Sequence, residues 1–208
     1  MSQGTYLANI RLLIVDDNTF MRRVMHNILV AFGAKHIREA SEGEDALKVL
    51  RAWHADIVLT ENVMQPIDGI KLTKMIRNSD DVIDSFVPIV MVSAHSEEWR
   101  IAMARDAGVN EFLVKPLAAT KVISHIRSIV ERPRKFVRSR QFFGPDRRRS
   151  RKQVDDEKRT EEPAVIAEPI FDEQHTGKYS YFYASHDSHA PEPPVYQPIN
   201  QVPNEKSA

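Results

Sequence analysis

Cysteine is absent from the 208 residues. That excludes disulfide frameworks, thiolate metal sites, iron–sulfur clusters and cysteine nucleophiles, and a reducing compartment suits the chain. Long apolar runs are missing as well: none approaches the roughly 18 residues of a membrane span. The opening MSQGTYLANIR has neither the basic start nor the apolar stretch of a signal peptide. A soluble, cytoplasmic chain without membrane insertion is expected. Charge of one sign is the third absence, with 29 Lys+Arg against 29 Asp+Glu.

That neutrality is a sum of unlike parts. Residues 1–130 hold 15 basic and 16 acidic side chains, residues 131–152 hold 10 and 2, and residues 153–208 hold 4 and 11. Sustained apolar periodicity is confined to the first part, long enough to bury one core. The organisation expected is a folded domain over 8–131, an Arg-rich extension over 132–152 and an acidic, Pro-rich, disordered tail over 153–208. The tail carries 7 of the 12 prolines and too few aliphatics to offset its ordering entropy. Its aromatic patch, Tyr179, Tyr181, Phe182 and Tyr183, reads either as a docking motif or as scattered aromatics.

Short aliphatic runs recur in the first part: IRLLIV at 10–15, ADIVLT at 55–60, VPIVMVS at 87–93, EFLV at 111–114 and a weaker HIREA at 36–40. Continuous apolar strands are expected where both faces of a parallel sheet are covered. Between them the periodicity predicts helices, the first with Phe20, Val24, Ile28 and Phe32 on one stripe and Gly33 as its stop. Four more fall near 43–53, 69–77, 97–107 and 118–131. Alternating strands and helices imply an α/β, doubly wound sheet, which binds ligands at the carboxyl ends of its strands.

Those ends carry chemistry. Asp16 and Asp17 follow the first strand, Glu61 ends the third, Ser93 the fourth and Lys115 the fifth. Adjacent carboxylates suggest a divalent cation, and hard oxygen ligands without Cys favour Mg²⁺; an Asp-Asp-Asn run before a helix equally suits a cap. Three carboxylates, a hydroxyl and an ammonium on one edge suit phosphoryl transfer to a carboxylate.

Four motifs at the same ends, LLIVDDNTFMRRVMHNIL, DIVLTENVMQPIDGI, PIVMVSAH and EFLVKP, make residues 10–130 resemble the CheY-like, single-domain receivers of two-component response regulators. The resemblance implies a flavodoxin-like five-stranded parallel sheet in the order 2-1-3-4-5 with five helices. It implies that Asp17 binds Mg²⁺ directly, Asp16 through water and Val63 through its carbonyl, that Ser93 and Lys115 hold phosphoryl oxygens, and that Phe112 is the switch aromatic or plain core. The contact surface would be the fourth helix, fifth strand and fifth helix, including Trp99, Phe112 and Lys115. A sensor kinase or the flagellar motor switch is the expected partner.

Glu61 departs from the family, which places the phosphoacceptor Asp there. Its carboxylate sits one methylene further out, and about 1 Å of misplacement can cost on the order of a hundredfold in rate. Three readings follow: Glu61 accepts hydrogen bonds from Lys115 and Ser93 and mimics an active state; the pocket is a relic network that stabilises the fold; or Glu61 is phosphorylated slowly. Gln65 also replaces a usual Pro, with Pro66 following.

The extension reads ERPRKFVRSRQFFGPDRRRSRK, an Arg-rich, aromatic-interleaved strand or hairpin after the last helix, with a turn expected at Gly144-Pro145-Asp146. Guanidinium planes grip phosphate and stack on purines. The strip resembles the arginine-rich extension of CheY-like cyclic di-GMP effectors, through Arg134, Arg138, Arg140, Arg147, Arg148 and Arg149 by type. Alternatives are a solvated linker paired with the acidic tail, and nucleic acid, against which the acidic tail argues. Of the histidines, His95 alone lies beside the pocket. The expectation is a signalling protein and not an enzyme, acting by protein contact because no output domain follows.

Overall fold

The computed structural model describes residues 7–79, 83–140, 142–147, 164–172 and 178–183. Strands β1 (Arg11–Val15), β2 (His36–Ala40), β3 (Ile57–Glu61), β4 (Ile89–Ser93) and β5 (Glu111–Val114) alternate with helices α1 (Thr19–Ala31), α2 (Gly43–Ala52), α3 (Gly69–Arg77), α4 (Glu98–Ala107) and α5 (Ala119–Glu131). The five strands form a parallel sheet in the order β2-β1-β3-β4-β5. This is the flavodoxin-like arrangement the sequence led us to expect.

Burial explains why these strands are apolar without alternation. Leu13, Val15, Val58, Ile89 and Met91 face one core, with α2, α3 and Ala104 of α4, while Leu12, Ile14, Ile57, Leu59, Val90 and Val92 face a second, with α1 and α5. Each such side chain contributes about 1.5–3 kcal/mol by leaving water. In α1 the buried positions are Met25 and Leu29. The predicted stripe is corrected at its start: Phe20 is 71% exposed, because the helix turns its Met21–Met25–Leu29 side toward the sheet. Gly33, at φ 88°, ends α1 as expected.

The Arg-rich extension is a packed hairpin rather than a solvated linker. Strands β6 (Phe136–Ser139) and β7 (Phe142–Pro145) pair antiparallel, with Phe136 opposite Pro145 and Ser139 opposite Phe142. The chain therefore reverses between Ser139 and Phe142, and the turn predicted at Gly144–Asp146 is corrected. Glycine at 144 serves close approach instead: a Cβ there would lie 2.9 Å from Cα of Gly108. Phe136 is fully buried and meets Phe86 edge-on, with ring centroids 5.0 Å apart, while Phe143 packs on both. Arg77, at the end of α3, lies over Phe136 and donates to the carbonyls of Gly108, Ser85 and Val87 and to Oδ1 of Asn110.

The disordered-tail expectation is also corrected over two stretches. Strands β8 (Ala164–Asp172) and β9 (Lys178–Tyr183) extend the hairpin into a second sheet ordered β7-β6-β8-β9. Composition averaged over the tail hides AVIA and YSYFY, whose β-branched and aromatic residues favour strands, and β6 offers them an open edge. The other tail residues lie outside the described residues. No helix of the described chain is long and apolar enough to cross a membrane.

Candidate functional site

Parallel topology brings the ends of β1, β3, β4 and β5 to one edge, and the loops there set the polar groups. Asn18 accepts the backbone N–H of Phe20 and Met21 and so caps α1. Asp16 is thereby left for other work. It is buried, its Oδ1 accepts from the Asn18 N–H at 2.8 Å, and its Oδ2 accepts from Nζ of Lys115 at 3.1 Å.

Glu61 ends β3 with its carboxylate buried and both oxygens engaged. Oε1 accepts the N–H groups of Asn62, at 2.7 Å, and Val63, at 3.1 Å. Oε2 accepts from Nζ of Lys115. Lys115 thus bridges Asp16 and Glu61. Burial by itself would lower its pKa, but its bonds and charge attraction to Glu61, then to Asp16, outweigh that, and the net shift is upward from the ordinary lysine value. Gly69 permits this geometry: a Cβ there would stand 2.2 Å from the Glu61 carbonyl oxygen, where α3 begins against the end of β3.

Other predicted site residues are brought near but not together. Ser93 is buried, yet its Oγ accepts from the His95 N–H at 3.2 Å instead of bonding Glu61. The expected Ser93–Glu61 hydrogen bond is therefore corrected; the following backbone turns Ser93 toward its own loop. Asp17 is exposed, and the Val63 side chain is half exposed. Phe112, opposite Met91 in the sheet, is partly buried against the core. His95 is exposed.

The acidic edge is bridged by one ammonium, since the Asp16 and Glu61 carboxylates both meet Lys115, while Asp17, the carboxylate expected to bind Mg²⁺ directly, is exposed. Sequence reasoning missed Arg22, whose Nη1 donates to the Asp16 carbonyl at 2.6 Å while its Nε faces Glu39 at 3.4 Å. Its place one helical turn after the Asn18 cap was the available signal.

On the hairpin, Arg134 pairs with Glu111 at 2.8 Å, and Nδ1 of His125 lies 3.1 Å from the same carboxylate. Arg138 lies over the Phe143 ring at 4.6 Å, and Arg147 over Phe142 at 3.8 Å while meeting Asp106 at 2.8 Å. Arg140 is exposed between the strands. Arg148 and Arg149 lie outside the described residues.

Comparison with known proteins bears on the domain that carries this edge. The response regulator receiver domain matches residues 12–127. The chain is 36% identical over 124 residues to "Chemotaxis protein CheY-3" of Vibrio cholerae, covering 60% of this chain and 94% of that protein. It is 34% identical over 122 residues to "Chemotaxis protein CheY" of Pseudomonas aeruginosa, covering 59% and 97%. Among solved structures, a response regulator receiver protein from Pseudomonas putida superposes with TM-score 0.53 at 26% identity, over 58% of this chain and 98% of that one. Vibrio cholerae CheY4 gives TM-score 0.55 at 21% identity, over 59% and 99%, a likeness of fold alone. The matched domain ends before the hairpin begins.

Proposed function

The chain belongs to the response regulator receiver family, and on that premise we propose that it is a receiver held in one state by Glu61, not switched by phosphorylation, and read by contact with other signalling proteins. The carrying observation is the closure of the Glu61 carboxylate, with one oxygen on two backbone N–H groups and the other on Lys115. A nucleophile must present a free lone pair in line with its target, and a carboxylate engaged at both oxygens and set one methylene too far out is poorly placed to do so. A full mimic of the phosphorylated state is less well supported. A phosphoryl group brings about two negative charges and three acceptor oxygens, whereas Glu61 leaves Ser93 bound to its own loop. Incubation with acetyl phosphate and Mg²⁺, followed by intact mass, tests this: no phosphoryl adduct is expected.

CheY-like receivers interact with sensor kinases and flagellar motor switch proteins, and these are the partner classes proposed here. The proposed face is α4–β5–α5. Trp99 and Met103, four residues apart on α4, are 55% and 45% exposed, and Val114 of β5 is 43% exposed. No catalytic activity is proposed.

A second reading has its own observation. The guanidinium carbons of Arg138 and Arg147 lie over the Phe143 and Phe142 rings, and two such cations beside aromatic rings suit an anionic, base-bearing ligand such as cyclic di-GMP. Calorimetric titration of cyclic di-GMP into the full chain and into an Arg138→Ala, Arg147→Ala double variant tests it. Binding lost in the variant supports the reading, and equal heats remove it.

A further inference from the structure

Helix α4 is held less by its own inner face than any other helix of the sheet. It buries only Ala104 and Ala107, and its N-terminus has no side-chain cap, whereas α5 buries four aliphatic side chains. Two alanines remove little apolar area from water, so the position of α4 depends on how its ends are tied. The C-terminal end is tied by the hairpin. Gly108, at φ 101°, ends the helix, and its carbonyl accepts two bonds from Arg77. Gly144 of β7 lies flush against Gly108, and a Cβ on Gly108 would stand 3.0 Å from the Phe143 carbonyl oxygen. Arg147 closes the contact, meeting Asp106 in the last turn of α4 at 2.8 Å while its guanidinium covers Phe142.

Asp106 lies seven residues after Trp99 and three after Met103, so the latched carboxylate shares a helical stripe with the exposed pair. A change at the hairpin therefore reaches the face on which partners are proposed to dock. Arg147 can satisfy only so many oxygens at once, and a phosphate presented to it competes with Asp106 through the same fork of N–H donors.

We propose that the β6–β7 hairpin is a ligand-responsive latch on α4: an anionic nucleotide that engages Arg147 draws it from Asp106 and loosens the C-terminal turn of α4. The inference rests on the second reading above. Its balance is one ion pair exchanged for another, and an exposed pair holds a helix end by a modest amount, so the effect is a severalfold change in local opening rather than unfolding.

The test is hydrogen exchange, read by mass spectrometry on the full chain, for the native protein, the native protein with saturating cyclic di-GMP, and Asp106→Asn. Peptides covering 98–109 should exchange roughly threefold faster both with the nucleotide and in Asp106→Asn, while β1, β3 and α2 are unchanged. In Asp106→Asn the nucleotide should add nothing further. Nucleotide binding that leaves 98–109 unchanged overturns the latch and leaves the second reading standing. Failure to bind, established by the same titration, overturns both. Uniformly faster exchange across the domain in Asp106→Asn also overturns the latch, because it marks general destabilisation.

Discussion

The guanidinium of Arg77 lies over the ring of Phe136, 5.1 Å from its centroid, so the charge that closes α3 is roofed by the first residue of the hairpin. Arg77 is buried and spends its N–H groups on carbonyls of the loops on either side. A buried cation is tolerable only with its donors satisfied and water excluded around them, and Phe136 completes that enclosure. The hairpin is thus part of the folded unit.

Phe136→Ala is expected to destabilise the chain by about 3–4 kcal/mol, since it removes a fully buried ring and opens a cavity over Arg77. Urea denaturation should show a lower midpoint with little change in slope. A chain ending at Arg132 should lose stability comparably, which a domain ending with α5 would not.

Gly69→Ala is expected to cost more than about 2 kcal/mol and to disturb Glu61. The new Cβ would fall 2.2 Å from a backbone oxygen that has no flexible end to move aside. Thermal unfolding measures the loss. Gly108→Ala, where φ is 101°, should cost about 1–2 kcal/mol through backbone strain, read as a lowered thermal midpoint.

The receiver part was legible because its signals are local. The apolar runs and the DD, E, S and K landmarks each sit on a strand or its end, Gly33 ends α1, and the observed elements begin within two residues of those expected. The hairpin is legible as an element but its packing is not, because eight arginines mask Phe136, Val137 and Phe143, whose burial depends on the distant Phe86 and Gly108. Periodicity over four-residue strands is too short to announce itself. Glu61 was legible as a departure, and its bond from Lys115 was among the readings; that Ser93 instead takes the His95 N–H depends on loop geometry.

Lys115→Met is expected to destabilise the chain by about 2–4 kcal/mol at neutral pH, because Asp16 and Glu61 then face each other without their cation. The sign of the pH dependence follows from the raised pKa of Lys115. Its charged form is favoured by folding, so its contribution is complete below the ordinary lysine value of about 10.4 and lost as pH rises through the higher folded value. The stability gap between native and variant should therefore stay level from pH 7 to 9 and narrow only in stronger alkali, as denaturation at each pH would show.

The most direct test of the central claim sets the native chain beside Glu61→Asp, each incubated with acetyl phosphate and Mg²⁺ and weighed intact. Shortening the side chain by one methylene restores the family's acceptor. It also withdraws the carboxylate from Lys115. The account predicts one phosphoryl adduct on Glu61→Asp and none on the native chain. An adduct on native Glu61, forming at a rate like that of the variant, would contradict it.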